Sequence, residues 1–299
     1  MIRVRPSFYD KFSCRASRCA HSCCVGWEID IDRQSAVYYA SVKGDFGREL
    51  RAGISEDGSH FILRDDGACP FLQKDGLCRI ILRLGEEALC DICAEHPRFY
   101  NCYPGREESG LGLCCEETVR LLAEERDPFS LVEEDDGAHE DTDPWREKLV
   151  SERKEIFLIV QNRSRGLDEA IKAVCDYAGM QTPPFESAKW AAFFLGLERM
   201  DESWTECLEK LAASPFGSDA GSEEEERYAK VFLYLLFRHF ITANDAKEAR
   251  KLLGFCIIGT RLIASLDRAD PGNRDEHIRL FSAEIEYSDE NVRKICSIL

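Results

Sequence analysis

The sequence predicts a mainly α-helical protein, in which a small, cysteine-rich, β-containing N-terminal domain of the α+β class precedes an all-α helical C-terminal domain. Cysteine usage is the first observation, because eleven of the fifteen cysteines lie between Cys14 and Cys115. The second is a dense acidic run from Glu133 to Asp143, where like charges repel and favour a solvated linker. The third is helical periodicity beyond that run. We therefore expect a cysteine-rich domain over 1–130, an acidic linker over 131–143 and a helical domain over 144–299.

Charge and hydropathy exclude several classes of protein. The 299 residues include 39 Lys and Arg against 56 Asp and Glu, a formal net charge of −17, whereas binding to nucleic acid needs a basic face. No uncharged apolar run approaches the length of a membrane span. The first residues, Met1 to Phe12, lack the apolar core and cleavage site of a signal peptide. We therefore expect a cytoplasmic protein with no nucleic-acid or membrane partner, and the oligomeric state stays open.

Four cysteines lie within eleven residues near the N-terminus, in the order Cys14, Cys19, Cys23 and Cys24. Thiols this close serve in disulfides, in metal ligation or in redox exchange. Because a reducing cytosol keeps thiols free, a chain without an export signal is not expected to use them as a disulfide scaffold. We interpret the quartet as metal-ligating. His21 lies inside it, as an alternative ligand or a surface histidine.

The segment after the quartet alternates apolar and acidic side chains. From Trp27 to Asp32 the pattern has period two, which predicts a short half-buried strand with one carboxylate face. A short helix is expected over Ser35–Val42, and a second strand over His60–Leu63.

The predicted local structure brings together the members of two further cysteine pairs. Cys69 and Cys78 flank a Lys-Asp-Gly turn between apolar runs, which predicts a hairpin whose two thiols face one point. Gly85–Glu95 is expected to be helical, and there Cys90 and Cys93 share a face at positions i and i+3.

Beyond these pairs the chain is expected to be helical. Asp143 and Pro144 fit an N-cap and the first position of a long helix. The helix through Val231–Phe237 is apolar almost all round, which is typical of the central helix of a bundle. The sequence has no P-loop and no strand followed by G-x-G-x-x-G, so an ordinary Rossmann cofactor site has no support.

Cysteine spacing leaves the metal open. Thiolates bind zinc tetrahedrally or hold iron–sulfur clusters, and the spacing favours neither. The C-x3-C-x2-C motif of radical S-adenosylmethionine enzymes begins with Cys19 and Cys23 but fails at Gly26.

Four motifs resemble a known family: C-x4-C-x3-C-C-x-G-W-x-I-D-I-D, C-P-F-L-x3-G-L-C-x-I, L-G-E-x-x-L-C-x-I-C-x-x-H-P-R and L-x-x-C-x-E. They are similar to the flagellin lysine N-methylase (FliB-type) family, within the wider set of metal-chelating CxxCxxCC proteins. The similarity extends from Cys14 to Glu117, and Phe232–Ile241 resembles the family's C-terminal helix. The cysteines that match the family pattern are Cys14, Cys19, Cys23, Cys24, Cys69, Cys78, Cys90, Cys93 and Cys115.

The resemblance implies methyl transfer from S-adenosylmethionine to lysine ε-amines of flagellin, with a [4Fe–4S] cluster held by these cysteines. An iron not held by cysteine would bind the amino and carboxylate groups of the methionine moiety and so replace the missing Rossmann site. Zinc remains the alternative metal.

Four other residues are candidates for the chemistry. Asp30 and Asp32, on the expected carboxylate face, would bind the substrate ammonium, or form a solvated strand face. Trp27 would line a lysine channel or stack on the sulfonium, or belong to the core. Arg98, beside His96 in the H-P-R motif, would hold a carboxylate of the cofactor or cap the preceding helix.

Three classes of function follow. The first is the lysine N-methyltransferase. The second is a zinc-stabilised interaction module without catalytic activity, and the third is a redox iron–sulfur protein. Metal content separates the second class from the other two, and binding of S-adenosylmethionine separates the first from the third.

Overall fold

The structure is a computed structural model that describes residues 1–125, 129–137, 142–162, 164–213 and 222–299. Two compact units form: Ser13–Phe99, here the cysteine unit, and Met1–Phe12 with Tyr100–Leu299, here the helical unit. The expected boundaries at 130 and 143 do not coincide with those of the units, so that division is not confirmed. The described residues are mainly helical with a small sheet, as the sequence predicts.

The cysteine unit consists of short helices joined by loops and single β-bridges. Its helices are α1 (Arg33–Ser41), α2 (Gly44–Ala52), α3 (Arg79–Leu84) and α4 (Asp91–Glu95), with 3-10 turns at Ala16–Arg18 and Glu86–Ala88. Helix α1 confirms the helix predicted over Ser35–Val42. It begins where the Asp32 carboxylate accepts a hydrogen bond from the Ser35 amide at 2.8 Å, which satisfies one of the free N–H groups of the first turn.

Aromatic and thiol side chains share the core of the cysteine unit. Phe61 packs edge-on against Phe71, with ring centroids 5.2 Å apart, and Tyr39 lies 6.0 Å from Phe61 on the other side. Cys69 and Cys90 are buried in the same cluster. The unit therefore uses thiols as part of its apolar interior, as buried cysteines commonly do.

The prediction of a half-buried strand for the alternating segment after the quartet is half correct. Ile29 and Ile31 are buried and Asp30 is exposed, so the expected faces exist. A regular strand does not form, because the chain makes only isolated bridges, such as that between Asp30 and His60, before turning into α1. The strand expected over His60–Leu63 is likewise reduced to bridges.

A four-stranded sheet belongs mainly to the helical unit. Its strands are β1 (Ile2–Pro6), β2 (Arg98–Tyr103), β3 (Arg106–Leu111) and β4 (Leu131–Asp135), in the order β2-β3-β1-β4. Strand β1 runs parallel to β3 and antiparallel to β4, so that Val4 pairs with both Glu108 and Glu133. Strand β4 occupies the first part of the expected linker, and residues 138–141 of that linker lie outside the described residues.

Helices make up the rest of the helical unit. They are α5 (Glu116–Glu124), α6 (Pro144–Val160), α7 (Leu167–Tyr177), α8 (Ser187–Leu195), α9 (Glu202–Ala213), α10 (Ser222–His239), α11 (Ala246–Ala269), α12 (Arg274–Phe281) and α13 (Asp289–Ser297), with a π-helical turn at Ser282–Glu286. The segment Val231–Phe237 of α10 is fully buried, which confirms the predicted central helix. Asp143 caps α6 and Pro144 opens it, also as predicted. No helix in the described ranges is long and apolar enough to cross a lipid bilayer.

One buried ion pair joins the sheet to this bundle. Glu108 of β3 accepts hydrogen bonds from Arg153 of α6 at 2.6 and 2.7 Å and from Arg106 at 2.7 Å. Burial would raise the pKa of the Glu108 carboxyl, but the two guanidinium groups outweigh it and lower that pKa. The carboxylate is therefore charged and fully paired in the interior.

Candidate metal centre

The predicted hairpin brings Cys69 and Cys78 together. The Gln73 amide donates to the Leu77 carbonyl at 2.9 Å across the turn, and Gly76 supplies the positive φ of 79° that the turn needs. The two thiols interact electrostatically. The hairpin therefore forms as predicted, and the convergence of its two thiols on one point stays a prediction.

Cys90 and Cys93 are also adjacent, although the helix expected over Gly85–Glu95 is broken. A 3-10 turn ends near Leu89, and Cys90 has extended backbone as the N-cap residue of α4. The Cys93 amide donates to the Cys90 carbonyl at 2.9 Å, and the two thiols hydrogen-bond to each other. The break places Cys90 before the helix while keeping both sulfur atoms together.

Cys24 connects the quartet to these pairs. Its carbonyl accepts a hydrogen bond from the Cys69 amide at 2.8 Å, so the two backbones run side by side. Its thiol interacts electrostatically with those of Cys69, Cys78 and Cys93. We call Cys24, Cys69, Cys78, Cys90 and Cys93 the five-thiol group.

The thiols of this group differ in acidity. A hydrogen bond from the Cys23 thiol lowers the pKa of Cys24 to about 7. A hydrogen bond from the Cys93 thiol lowers the pKa of Cys90 and raises that of Cys93. Burial raises the pKa of Cys69 to about 12. Two members therefore favour the thiolate, the form that binds metals, and the others retain their protons until a metal displaces them.

The remaining predicted ligands are placed differently. Cys14 and Cys23 are exposed and Cys19 is half-buried, all in the loop that leads to Cys24. Cys115 belongs to the helical unit, where it is the N-cap residue of α5. Their role as ligands stays a prediction. All fifteen cysteines lie in the described residues, and no disulfide joins them.

The two candidate aspartates have different surroundings. The Asp32 carboxylate accepts one hydrogen bond from the Ser35 amide and one, at 3.0 Å, from the Asp91 amide at the start of α4. Partial burial would raise the pKa of Asp32, but these amides lower it to about 2. Asp32 thus ties α1 to the segment that holds Cys90, a structural role that its spacing did not predict. Asp30 is exposed and available to a ligand.

Trp27 and Arg98 remain candidates for cofactor contact. The half-buried Trp27 indole donates from Nε1 to the Cys23 carbonyl at 2.8 Å, and its ring lies 6.3 Å from that of His96. Burial lowers the pKa of His96 to about 4, so this imidazole is neutral at physiological pH. Arg98 is half-buried at the start of β2. Trp27 therefore packs partly against the core beside the thiol loop, and its contact with a cofactor or lysine stays a prediction.

Tyr39 contributes to the site and was not predicted. Its hydroxyl donates to the Ala88 carbonyl at 2.7 Å and interacts with the thiols of Cys90 and Cys93. Burial raises the pKa of this phenol far above its usual value, and the neighbouring thiols raise it further. No local motif marks Tyr39, because the contact depends on α1 packing against the turn before α4.

The donor set suits a thiolate-bound metal in kind and number. As the side chains stand, no group of three or more His, Cys, Asp or Glu residues in the described ranges is arranged to hold a metal ion. The five-thiol group nevertheless offers more than the four sulfur donors that a structural zinc or an iron–sulfur cluster uses. All five cysteines belong to the same packed cluster of the cysteine unit.

Comparison with known proteins gives relatives of one kind. The chain is 30% identical over 138 residues to the protein named lysine-N-methylase of Salmonella typhimurium. The aligned region covers 44% of this chain and 34% of that protein. A lysine-N-methylase of Salmonella choleraesuis has the same identity and coverage. The flagellar biosynthetic protein FliU of Salmonella muenchen is 30% identical over 138 residues, 44% of this chain and 82% of that protein. The chain thus spans about a third of the lysine-N-methylases that it matches.

No family model matches the sequence. No solved structure matches it either.

Proposed function

The chain belongs to the family of the flagellar biosynthetic protein FliU and the lysine-N-methylases, and from that premise we propose that it is a protein lysine N-methyltransferase acting on flagellin. The names of its relatives are the observation that supports this most. The two alternatives, a zinc-stabilised interaction module and a redox iron–sulfur protein, would use the same thiols. Neither would explain why the relatives are named lysine-N-methylases.

We propose that the five-thiol group holds a [4Fe–4S] cluster and that S-adenosylmethionine is the methyl donor. Support comes from the count and chemistry of the thiols and from the absence of a glycine-rich nucleotide motif in the sequence. When bound, the cluster would supply a coordination position for the amino and carboxylate groups of the donor. Zinc suits the same thiols and remains the alternative metal.

The protein's own residues would then bind and orient the lysine, whose ammonium proton passes to solvent before the amine attacks. Methyl transfer forms an N–C bond as the S–C bond of the sulfonium breaks, so the attacking amine must be neutral and aligned. The exposed Asp30 carboxylate would bind the incoming ammonium. The Trp27 face would attract the sulfonium through its ring quadrupole. Asp32 would act as a positioning residue, because it fixes α1 against the segment that bears Cys90.

Anaerobic co-expression with flagellin tests the activity. We expect mass increments of one methyl group on flagellin lysines with the wild-type chain and with Cys102→Ser, a matched control because Cys102 is exposed in the helical unit. Cys90→Ser should abolish them. Unmodified flagellin with the wild-type chain, or full methylation with Cys90→Ser, would contradict the proposal.

Metal analysis separates the cofactors. Purified under anaerobic conditions, the chain should contain iron and acid-labile sulfide in equal amounts, with the broad visible absorbance of an iron–sulfur cluster. Stoichiometric zinc without that absorbance would support the interaction module instead.

A further inference from the structure

The quartet loop, residues 14–24, is fixed at its C-terminal end to the segment that opens the hairpin. The Gly26 amide donates to the Gly67 carbonyl at 3.0 Å, and the Cys69 amide donates to the Cys24 carbonyl at 2.8 Å. These two hydrogen bonds flank an isolated antiparallel bridge. Because the pairing uses backbone groups alone, this end of the loop is held in place without any contribution from the thiols.

The tip of the hairpin touches the same loop at a second point. A Cβ atom at Gly76 would lie 3.1 Å from the Cα of Ser17 and 3.4 Å from its Cβ. Carbon atoms that are not bonded to each other pack best at about 3.5–4.0 Å, so the absent side chain is what permits this approach. Ser17 is the middle residue of the 3-10 turn Ala16–Arg18, where the Cys19 amide donates to the Ala16 carbonyl at 3.1 Å.

The turn that meets Gly76 has an unfavourable backbone conformation. Ala16 has a φ of 48°, in the left-handed region where a Cβ crowds the following carbonyl. In the part of the chain that the structure describes, it is the only residue other than glycine with a positive φ. Such a conformation persists where the surrounding contacts enforce it, and packing of Ser17 against the hairpin tip supplies one such contact.

We propose that Gly76 is a positioning residue for the metal centre, because it lets the quartet loop pack against the hairpin before any metal binds. This inference rests on the proposed function. Only residues 18–23 separate the two contact points, so Cys19 and Cys23 lie on a short segment with both ends fixed to the hairpin region. A short segment with fixed ends has little conformational entropy to lose on binding. These two predicted ligands therefore stay beside the hairpin of the five-thiol group, and the metal binds more tightly.

Replacement by asparagine separates this contact from the needs of the turn itself. Gly76 has a φ of 79°, and its amide donates to the Gln73 carbonyl at 3.0 Å. Gly58, in another turn of the cysteine unit, has a φ of 78°, and its amide donates to the Ser55 carbonyl at 2.9 Å. Asparagine tolerates this backbone conformation better than most side chains do. A Cβ at Gly58 would meet the Ala36 Cβ at 3.9 Å, an ordinary contact, so Gly58→Asn is the matched control.

Alkylation of the intact metal-free chain by N-ethylmaleimide tests the packing of the loop. Peptide mass spectrometry gives each rate relative to that of Cys102, which is exposed in the helical unit. In the wild-type chain the half-buried Cys19 should react at least about threefold more slowly than the exposed Cys14. Gly76→Asn should raise the Cys19 rate at least about threefold, and Gly58→Asn should leave it unchanged. Equal Cys19 rates in the wild-type chain and Gly76→Asn would overturn the proposal. If Gly76→Asn does not fold, equal rates at Cys14 and Cys19 in the wild-type chain would overturn it.

Anaerobic titration with cobalt(II) tests the consequence for the metal centre, because thiolate-to-cobalt absorbance reports binding independently of activity. Gly76→Asn should bind cobalt at least about tenfold more weakly than the wild-type chain, and Gly58→Asn within about twofold of it. Equal affinities of the wild-type chain and Gly76→Asn, or equal losses in both variants, would overturn the role of Gly76. A wild-type chain that binds no cobalt through thiolates would refute the proposed metal centre and this role with it, whereas the alkylation rates test the packing of the loop alone.

Discussion

Replacing Asp32 with alanine removes two hydrogen bonds that hold the cysteine unit together. Oδ1 of Asp32 accepts from the Ser35 amide at the start of α1, and Oδ2 accepts from the Asp91 amide at the start of α4. Loss of an N-cap side chain costs about 1 kcal/mol. Loss of the second bond, to a partly exposed amide, costs about 1 kcal/mol more. We therefore expect Asp32→Ala to lower the free energy of unfolding of this unit by about 2 kcal/mol.

Hydrogen exchange followed by mass spectrometry locates the effect. A loss of about 2 kcal/mol should speed the exchange of the Ser35 and Asp91 amides by about thirtyfold. Asp32→Asn keeps a single acceptor oxygen, so roughly half of the free-energy loss should remain. Exchange in α10 of the helical unit serves as the internal reference.

Asp30→Ala is the matched control for this experiment. Asp30 is exposed, so its removal should change the free energy of unfolding by less than about 0.5 kcal/mol. It should nevertheless lower flagellin methylation if it binds the substrate ammonium. Unchanged exchange at Ser35 and Asp91 in Asp32→Ala would refute the structural role of Asp32. Normal methylation by Asp30→Ala would refute the proposed role of Asp30.

Substitution of three other residues should change the stability of the fold by amounts that the structure indicates. Tyr39→Phe removes the hydrogen bond to the Ala88 carbonyl, so urea denaturation should show a loss of about 1 kcal/mol. Glu108→Gln leaves Arg153 buried with a weakened partner, and thermal unfolding should show a loss of about 3–5 kcal/mol, partly recovered by adding Arg153→Met. The pKa of His277 is raised from 6.5 to about 9, so the imidazolium stabilises the fold fully below pH 6.5, and that contribution is lost as pH rises through about 9. Urea midpoints should therefore fall over that range in the wild-type chain and stay level in His277→Gln.

Features with local causes could be predicted from the sequence. The cap formed by Asp143 and Pro144 depends on two adjacent residues, and both are found in their expected positions. The hairpin between Cys69 and Cys78 depends on a turn within ten residues, and it forms as expected. Burial of Val231–Phe237 follows from an apolar surface that no exposed helix could present to water.

Features with distant partners could not be predicted. The acidic residues of β4 suggested a repelling linker, yet Arg5 of β1 forms an ion pair with Glu134 at 2.9 Å, and this offsets the repulsion. That pairing joins residues more than a hundred positions apart, which no local pattern indicates. Tyr39 is similar, since its contact with Cys90 depends on how α1 packs. The break before α4 leaves the Asp91 amide outside any helix hydrogen bond, and the distant Asp32 carboxylate accepts it at 3.0 Å.

If the five-thiol group holds the proposed metal, the folding of the cysteine unit should depend on that metal more than the folding of the helical unit does. Its core includes buried thiols, α4 has five residues, and its β pairing consists mainly of isolated bridges. A metal bound to the five-thiol group would cross-link the quartet loop, the hairpin and α4, three segments that little regular structure joins. Since metal binding to such a site adds directly to folding free energy, its removal should selectively loosen this unit.

Hydrogen exchange before and after anaerobic chelation tests that dependence. The amides of α4 and of the hairpin around Gly76 should exchange at least about tenfold faster without metal, while those of Val231–Phe237 in α10 should keep their protection. Cys90→Ser should reproduce the chelated pattern, and Cys102→Ser should match the metal-bound wild-type chain. If chelation removed all metal and left exchange in α4 unchanged, the aromatic core of Tyr39, Phe61 and Phe71 would be sufficient for folding, and the thiols would serve chemistry alone.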